Sequence, residues 1–256
     1  MKINLHSHTT RCGHATGTEK EFIEEALRIG MTDFGFSDHT PMPFPGDFRT
    51  PGMRMDLCQM DDYADTVLAL RKEYKDKINI YLGLEAEFYP ALFSKLMDFL
   101  EGYPLDYLIL GQHCLKNQYD GPWCGEPTND DSRVTEYVDQ VIEGLSTGKF
   151  LYLAHPDLIN YSGDDLFYQK EMSRLCGYAY DKNIPLEINL LGVGENRNYP
   201  NPLFWEIAGK TGNDVVIALD AHHVRMIDVP EAEKKAMELV DRFRLKLIET
   251  PLPKVK

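Results

Sequence analysis

The chain has 256 residues with 41 acidic and 27 basic side chains, so its formal net charge is −14. Its hydrophobic content of 43% is enough for a packed core and excludes a disordered protein. No window approaches about 18 consecutive apolar residues, and the N-terminus lacks a signal-peptide pattern, which argues against a membrane partner. The acidity argues against a nucleic-acid partner, because nucleic-acid binders usually offer a basic face to phosphates. We therefore expect a cytoplasmic protein.

The five cysteines form an odd set without a C-x-x-C pair: Cys12, Cys58, Cys114, Cys124 and Cys176. Disulfide frameworks and thiolate zinc sites usually show paired spacings, so neither is indicated here. We expect reduced thiols in or near the core.

Short apolar runs alternate with amphipathic stretches along the whole chain. Consecutive apolar residues are typical of parallel strands covered on both faces, and they predict strands at 3–5, 34–37, 78–84, 107–110, 150–154, 186–190, 215–219 and 245–248. The helical stretches are 18–29, 57–75, 91–102, 132–146, 164–182, 202–210 and 230–243. Thr18 with Glu21 fits a capping box, and Asp164 and Pro202 are typical helix starts.

The repeated order of strand and helix, without a linker, predicts a single α/β domain covering residues 1–256. The pattern fits either a closed barrel or an open doubly wound sheet. The G-x-G-x-x-G fingerprint of a dinucleotide-binding sheet does not follow the first strand. Two long loops, 40–56 and 116–131, follow strand ends, where barrel enzymes build their substrate sites.

The histidines are concentrated where predicted strands end. All eight lie at or just beyond a strand end: His6, His8, His14, His39, His113, His155, His222 and His223. Glu85 and Asp220 end two strands in the same way. If the strands are parallel, these side chains meet at one rim of the sheet. Residues two apart on a strand face the same side, so His6 and His8 can bind one ion. Imidazole and carboxylate groups bind Zn, Mn and Fe, and this inventory predicts two or three divalent transition metals.

Six motifs, in this order along nearly the whole chain, resemble those of the PHP (polymerase and histidinol phosphatase) family. They are Leu5-His6-Ser7-His8-Thr9 with the following His14, Ser37-Asp38-His39-Thr40, Gly83-Leu84-Glu85, Gly111-Gln112-His113, Ala154-His155-Pro156-Asp157 and Leu219-Asp220-Ala221-His222-His223. The resemblance implies an α/β fold, a distorted (β/α)7 barrel of the TIM type, with a trinuclear metal site at its carboxyl-terminal rim.

The resemblance also implies a distribution of ligands among three metals. The first metal would be held by His6, His8, Glu85 and Asp220. Glu85 would bridge to a second metal held by His113 and His155, and the third would be held by His14, His39 and His222. Glu87 is an alternative to Glu85, since the two face the same side of the strand. The Gly-x-Glu pattern favours Glu85 and leaves Glu87 as a hydrogen-bond acceptor. His223 is expected at the rim without binding a metal.

Within the family, the chain is similar to the histidinol-phosphate phosphatase branch of about this length. The similarity includes Asp38-His39-Thr40-Pro41, His155-Pro156-Asp157-Leu158 and the segment from Asn189 to Pro200. It implies that Arg197 meets the substrate phosphate, since a guanidinium can bind two phosphate oxygens at once. His14 and His39 are expected to face the substrate as well.

The implied reaction is hydrolysis of a phosphate monoester, with L-histidinol phosphate giving L-histidinol and phosphate. A hydroxide bridging two metals would attack phosphorus in line, and Asp220 or His222 would protonate the leaving oxygen. The acidic residues Asp120, Glu126 and Asp157 are candidates to meet the amine or imidazole of this substrate.

Two other interpretations remain open. A PHP phosphoesterase for a sugar phosphate, a nucleotide or a phosphotyrosine protein would keep the barrel and the metals and differ in its loops. A barrel that binds metals without turnover would be expected to lack a ligand, and here every implied ligand position is filled.

Overall fold

The computed structural model of the chain describes residues 1–50, 52–251 and 253. In this part of the chain there are seven strands: β1 (Ile3–Asn4), β2 (Asp33–Phe36), β3 (Asn79–Ala86), β4 (Tyr107–Leu110), β5 (Leu186–Asn189), β6 (Asp214–Ala218) and β7 (Lys246–Leu247). The α-helices of the same residues are α1 (Glu19–Arg28), α2 (Met60–Glu73), α3 (Phe93–Leu100), α4 (Asp131–Ser146), α5 (Asp165–Lys182), α6 (Leu190–Glu195), α7 (Pro202–Thr211) and α8 (Pro230–Phe243).

The predicted helix starts are confirmed. Thr18 caps α1, and Thr18 and Glu21 form both hydrogen bonds of a capping box. Asp164 caps α5 by accepting from the backbone N–H of Phe167, and Pro202 is the first residue of α7. No helix of the described residues is long and apolar enough to cross a membrane.

The short helix α6 is absent from the sequence prediction. It directly follows β5, where Asn189 caps it by accepting from the N–H of Gly192. Gly192 and Gly194 lower the helix propensity of this segment, and its length of 6 residues is too short for a helical period to be recognised.

The strands are parallel and form two groups in the order β1-β2-β3-β4 and β5-β6-β7. The segment 150–154 joins them, because Leu153 forms parallel bridges to Leu110 of β4 and Leu186 of β5. The predicted strand at 150–154 is therefore wrong as a full strand. Pro185 has no N–H with which to extend the ladder beside β5, so the pairing is confined to isolated bridges.

The sheet closes on itself between β1 and β6. Beyond the ends of these strands, Ser7 and Ala221 form a parallel bridge, and the N–H of His8 donates to the carbonyl of Ala221 at 2.9 Å. Lower down, the N–H of Leu219 donates to the side-chain Oδ1 of Asn4 at 2.9 Å. A side chain thus replaces part of the backbone ladder, which accounts for a distorted barrel. The predicted α/β barrel is confirmed, whereas the single-domain assignment for residues 1–256 stays a prediction.

The interior of the barrel is filled by apolar and aromatic side chains, among them Ile3, Leu5 and Tyr107. The Tyr107 ring lies against the backbone of Gly83, and a Cβ added at Gly83 would be 2.2 Å from the ring. Only glycine fits at this place in the Gly-x-Glu motif. A larger core packs between the outside of the sheet and the helices. The barrel therefore forms a solid support beneath its carboxyl-terminal rim.

Candidate active site

Because the strands are parallel, their carboxyl ends meet at one rim, and the structure brings all nine predicted metal ligands to that rim. Glu85, at the end of β3, lies at the centre of the group. Its Oε1 is 2.8 Å from His155 Nε2, and its Oε2 is 2.8 Å from His39 Nδ1. On the β1 side, His8 Nε2 is 3.0 Å from Asp220 Oδ1. Groups that end or follow β1, β2, β3, β4, β6 and the segment 150–154 thus meet around one buried carboxylate.

Four sets of these side chains have ligand atoms within 4.8 Å of one another. The sets are His14–His39–His222, His6–His8–Glu85, His6–His155–Asp220 and His39–Glu85–His113. The first set has the same members as the implied third metal site. The second set lies within the implied first site. The other two differ from the implied distribution, because His155 is grouped with His6 and Asp220, and His113 is grouped with His39. The assignment of individual ligands to individual ions stays a prediction.

Several buried nitrogen atoms of this group have no hydrogen-bond partner. They include His6 Nε2, His155 Nδ1 and His222 Nε2. A buried polar atom without a partner is energetically costly, and such atoms are rare in folded proteins. Imidazole nitrogens and carboxylate oxygens at this spacing are the donors that Zn, Mn and Fe accept. The residues present therefore fit divalent transition metals.

Four of the imidazole rings are held through their Nδ1 atoms. The Nδ1 contacts are His6 to Glu187 Oε1 at 2.9 Å, His14 to the Cys12 carbonyl at 3.1 Å, His113 to Glu87 Oε1 at 3.2 Å and His222 to the Asp220 carbonyl at 3.0 Å. An imidazole that donates from Nδ1 keeps the lone pair of Nε2 free, which is the form that binds a metal. These contacts thus prepare four rings for coordination. Glu87 has the acceptor role predicted for it.

Two of the carboxylates at the site were missed by the sequence analysis. Glu187 is fully buried in β5 and accepts from His6, and Asp38 accepts from the backbone N–H of His39 at 2.8 Å. Asp38 Oδ1 also lies 3.5 Å from His8 Nδ1. A signal was available for both, since each is a lone acidic residue in or directly after an apolar strand. Such residues rarely stay buried without a partner.

The electrostatic environment gives two carboxylates and two imidazoles of the site the protonation states that metal ligands need. Burial would raise the pKa values of Glu85 and Asp220, but the surrounding imidazoles outweigh it and hold both well below their usual range. Burial lowers the pKa of His39 to about 4 and, with His8 nearby, that of His222 to about 2. Near neutral pH, the carboxylates are therefore ionised and these two imidazoles are neutral.

The backbone is strained at two residues of the rim. His155 has φ 33° and Asp220 has φ 52°, in the left-handed region that residues with a Cβ rarely adopt. The Asp220 carboxylate is held in place by Asn189, whose Nδ2 donates to Oδ2 at 3.0 Å. Strain of this kind persists at functional sites where surrounding contacts over-determine it.

A cavity of about 390 Å³ opens above the rim. Its floor includes His14, His39, His113, Asp220 and His222, and its walls include Met53, Trp123, Leu158, Arg197, Tyr199 and His223. Its volume lies in the range of small-molecule sites. The structure thus places the implied third-site histidines and Arg197 around one space.

Arg197 lies in the cavity wall, where its side chain is exposed to solvent. Its Nε and Nη2 donate to Glu195 Oε2 at 3.0 and 2.9 Å, and its Nη1 donates to the hydroxyl of Tyr199 at 3.0 Å. The guanidinium is therefore oriented by its neighbours in the loop. Its predicted contact with a substrate phosphate stays a prediction.

The acidic residues considered for the substrate lie elsewhere. Asp157 is buried and accepts from the Asn201 backbone N–H and from Trp205 Nε1, so it anchors the start of α7 and cannot meet a substrate amine. Asp120 and Glu126 are exposed and are not among the described residues that line the cavity. His223 lies at the cavity edge, where its Nδ1 is 2.6 Å from Thr16 Oγ1.

Comparisons with known proteins agree with this geometry. The family model of the PHP domain matches residues 4–190. A probable histidinol-phosphatase of Deinococcus radiodurans is 30% identical over 237 residues, covering 85% of this chain and 85% of that protein. A probable histidinol-phosphatase of Schizosaccharomyces pombe is 33% identical over 253 residues, covering 87% of this chain and 81% of that protein.

The fold is also found among solved structures. A histidinol phosphate phosphatase from Lactococcus lactis, in complex with zinc, L-histidinol and phosphate, superposes with a TM-score of 0.75 at 18% identity, covering 98% of this chain and 97% of that one. A chain from the crystal structures of metal-dependent tyrosine phosphatases of Bacillus subtilis and Streptococcus pneumoniae shares the fold at a TM-score of 0.51 and 13% identity, covering 99% of this chain and 100% of that one. The family suggested by the six motifs is confirmed, and the chain belongs to the PHP domain family.

Proposed function

We propose that this protein is a metal-dependent phosphate monoester hydrolase that converts L-histidinol phosphate and water to L-histidinol and phosphate. The observation that carries the proposal is the ring of imidazoles and carboxylates around Glu85, which forms the floor of a cavity with Arg197 in its wall. The curated relatives named histidinol-phosphatase and the Lactococcus lactis structure with L-histidinol and phosphate support this substrate.

Two or three divalent ions, Zn, Mn or Fe, would be held by the nine side chains of the rim. The proposed ligands are His6, His8, His14, His39, Glu85, His113, His155, Asp220 and His222. When bound, the ions supply a water of lowered pKa and neutralise charge on the phosphoryl oxygens.

Arg197 would bind the phosphate group. Its planar guanidinium can donate to two phosphate oxygens, and a dianion competes well for the donors that now face Glu195. Tyr199 keeps the third donor oriented, so that the arginine stays in the cavity wall while its other partners exchange. His14 and His39 line the cavity and would also face the bound phosphate.

The leaving oxygen of the ester requires a proton. Asp220 and His222 were predicted as donors, but their lowered pKa values leave both without a proton near neutral pH in the metal-free protein. This favours metal binding over proton donation as their role in the site.

We further propose that the partner of this protein is a small molecule and that the protein works in the cytoplasm. The cavity of about 390 Å³ fits an amino-alcohol phosphate. All five cysteines are free, which fits a reducing compartment.

The test is a comparison of kcat/KM for L-histidinol phosphate with a sugar phosphate, a nucleotide, a phosphotyrosine peptide and p-nitrophenyl phosphate, each with added Mn, Zn or Fe. We expect a preference for L-histidinol phosphate of more than about tenfold, or roughly 1.4 kcal/mol of differential transition-state binding. A smaller preference would indicate a phosphoesterase with broader substrate specificity. Bound metal with no phosphate release from any ester would assign a binding function without turnover.

A further inference from the structure

Arg54 is a buried arginine in the long loop 40–56, with a relative exposure of 6%. All three arms of its guanidinium have partners. Nε donates to Gln118 Oε1 at 2.8 Å, Nη1 donates to the carbonyl of Thr40 at 3.0 Å, and Nη2 forms an ion pair with Glu87. This one side chain therefore connects loop 40–56, loop 116–131 and the end of β3.

The Glu87 carboxylate is shared between Arg54 and His113. While Oε2 pairs with Arg54, Oε1 faces the His113 ring Nδ1 at 3.2 Å and the His113 backbone nitrogen at 3.3 Å. Trp123, from loop 116–131, stacks on the same ring with the centroids 5.3 Å apart and the planes 16° from parallel. His113 is thus held at its edge by Glu87 and on its face by Trp123, and its Nε2 faces Glu85 at 3.6 Å.

Glu87 is also a potential competitor of Glu85. The two residues are two positions apart at the end of β3, both are buried, and both contact His113. A buried carboxylate without a cationic partner is energetically costly. Without Arg54, the proposed metal centre would be the alternative cationic partner of Glu87. The ion pair with Arg54 removes that option because it occupies Oε2.

We propose that Arg54 is a positioning residue that holds Glu87 as the hydrogen-bond acceptor of His113 and keeps it from replacing Glu85 at the metal centre. The inference rests on the proposed function only in taking the rim as a metal site. According to this proposal, Arg54, a loop residue distant in sequence from Glu85 and Glu87, determines which of the two carboxylates binds the metal.

The experiment compares the wild type with Arg54→Met, Arg54→Lys, Glu87→Gln and the double variant Arg54→Met/Glu87→Gln. Arg49→Met is the matched control, since Arg49 is an exposed arginine in the same loop. The first readout is the affinity of each chain for Mn and Zn, measured by competition with a chelator and compared with that of His113→Ala. The second is the tautomer of the His113 ring in the metal-free protein, from long-range proton–nitrogen correlation spectra.

We expect Arg54→Met to lower the affinity for the ion that depends on His113 by about 10–100-fold, which is the usual effect of losing a group that orients a metal ligand. His113 should also lose its preference for a proton on Nδ1. Arg54→Lys should recover part of the affinity, because lysine keeps the positive charge but lacks the planar guanidinium with its several donors. The double variant should resemble Glu87→Gln and bind more tightly than Arg54→Met, since a neutral amide does not compete for metal.

Three results would overturn the proposal: wild-type affinity and tautomer in Arg54→Met, a double variant as weak as Arg54→Met, or the same loss in Arg49→Met. If Arg54→Met does not fold, the double variant decides the question, because it removes both buried charges. Affinity equal to that of Glu87→Gln supports the proposal, and a lower affinity contradicts it. None of these readouts uses a phosphate ester, so a failure of the proposed substrate leaves the test unaffected.

Discussion

Glu187 Oε1 lies 2.9 Å from His6 Nδ1, and both side chains are fully buried below the rim. The other carboxylate oxygen, Oε2, accepts from the backbone N–H of His155 at 3.2 Å. One acidic side chain thus contacts two segments that carry proposed metal ligands. It fixes the His6 ring with Nε2 directed to the rim, where that atom has no protein hydrogen-bond partner.

Replacing Glu187 by glutamine should weaken metal binding. An amide can present its NH2 to His6 Nδ1, which places the ring proton on Nε2 and blocks that atom as a ligand. We expect the affinity for at least one ion to fall by about 10–100-fold, with activity falling in parallel. Elemental analysis and chelator competition measure the change. Glu206→Gln, at an exposed position of α7, is the control and should match the wild type.

The two carboxylates at the end of β3 should respond differently to the same substitution. Glu85→Gln should lose metal and nearly all turnover, because a neutral amide cannot bridge two cations. Glu87→Gln should keep its metals and measurable activity, since an amide oxygen can still accept from His113. Metal content and kcat of the two variants check this. Reversed results would show that the ligand is Glu87.

Gly111 should not tolerate a side chain. A Cβ at this position would lie 1.8 Å from Glu85 Oε1, so Gly111→Ala must displace the central carboxylate. We expect loss of metal and activity in a protein that still folds. Gly177→Ala is the control, because a Cβ there meets nothing within 4 Å and lies within helix α5. The control should keep full activity and gain slightly in Tm. Full activity of Gly111→Ala would contradict the central position of Glu85.

Arg197→Ala should slow hydrolysis of every monoester by a similar factor, on the order of 2–4 kcal/mol in kcat/KM, because the phosphate is common to all of them. Metal content should not change. Glu195→Gln should have the opposite effect and lower KM, since it releases the guanidinium from a competing carboxylate. Steady-state kinetics on two chemically different esters check both. A loss confined to L-histidinol phosphate would make Arg197 a specificity residue instead.

The metal-free protein should lose stability as the pH rises from about 6.5 to about 9. Burial would lower the pKa of His8, but the neighbouring carboxylates of Asp220 and Asp38 outweigh it and raise the pKa to about 9. The folded chain therefore binds a proton that the unfolded chain releases above about 6.5. The stabilisation is complete below that pH and is lost as the pH passes about 9. Chemical denaturation at several pH values measures it.

His8→Gln is the variant that isolates this contribution, because it removes the titrating ring. Its stability curve should be flatter than that of the wild type between these pH values. An equal slope in the two proteins would assign the proton uptake to other groups. The same proton must leave when a metal binds, so binding should release more protons at neutral pH in the wild type than in His8→Gln.

The sequence by itself determined most of the order of strands and helices, apart from α6 and the segment 150–154, because apolar periodicity and capping residues are local patterns. It also determined that the histidines belong to one site, since parallel strands place their carboxyl ends at one rim. The family could be recognised from the six motifs because each motif is a short segment at a single strand end.

Only the tertiary structure decided which groups hold and orient those ligands. His6 and Glu187 are 181 positions apart, and Arg54 and Glu87 are 33 apart, so no local period relates them. Periodicity predicts the face on which a side chain lies but not the partner that it meets there. The closure of the barrel through Asn4, the pairing of Arg54 with Glu87 and the grouping of His155 with His6 each depend on packing between distant segments.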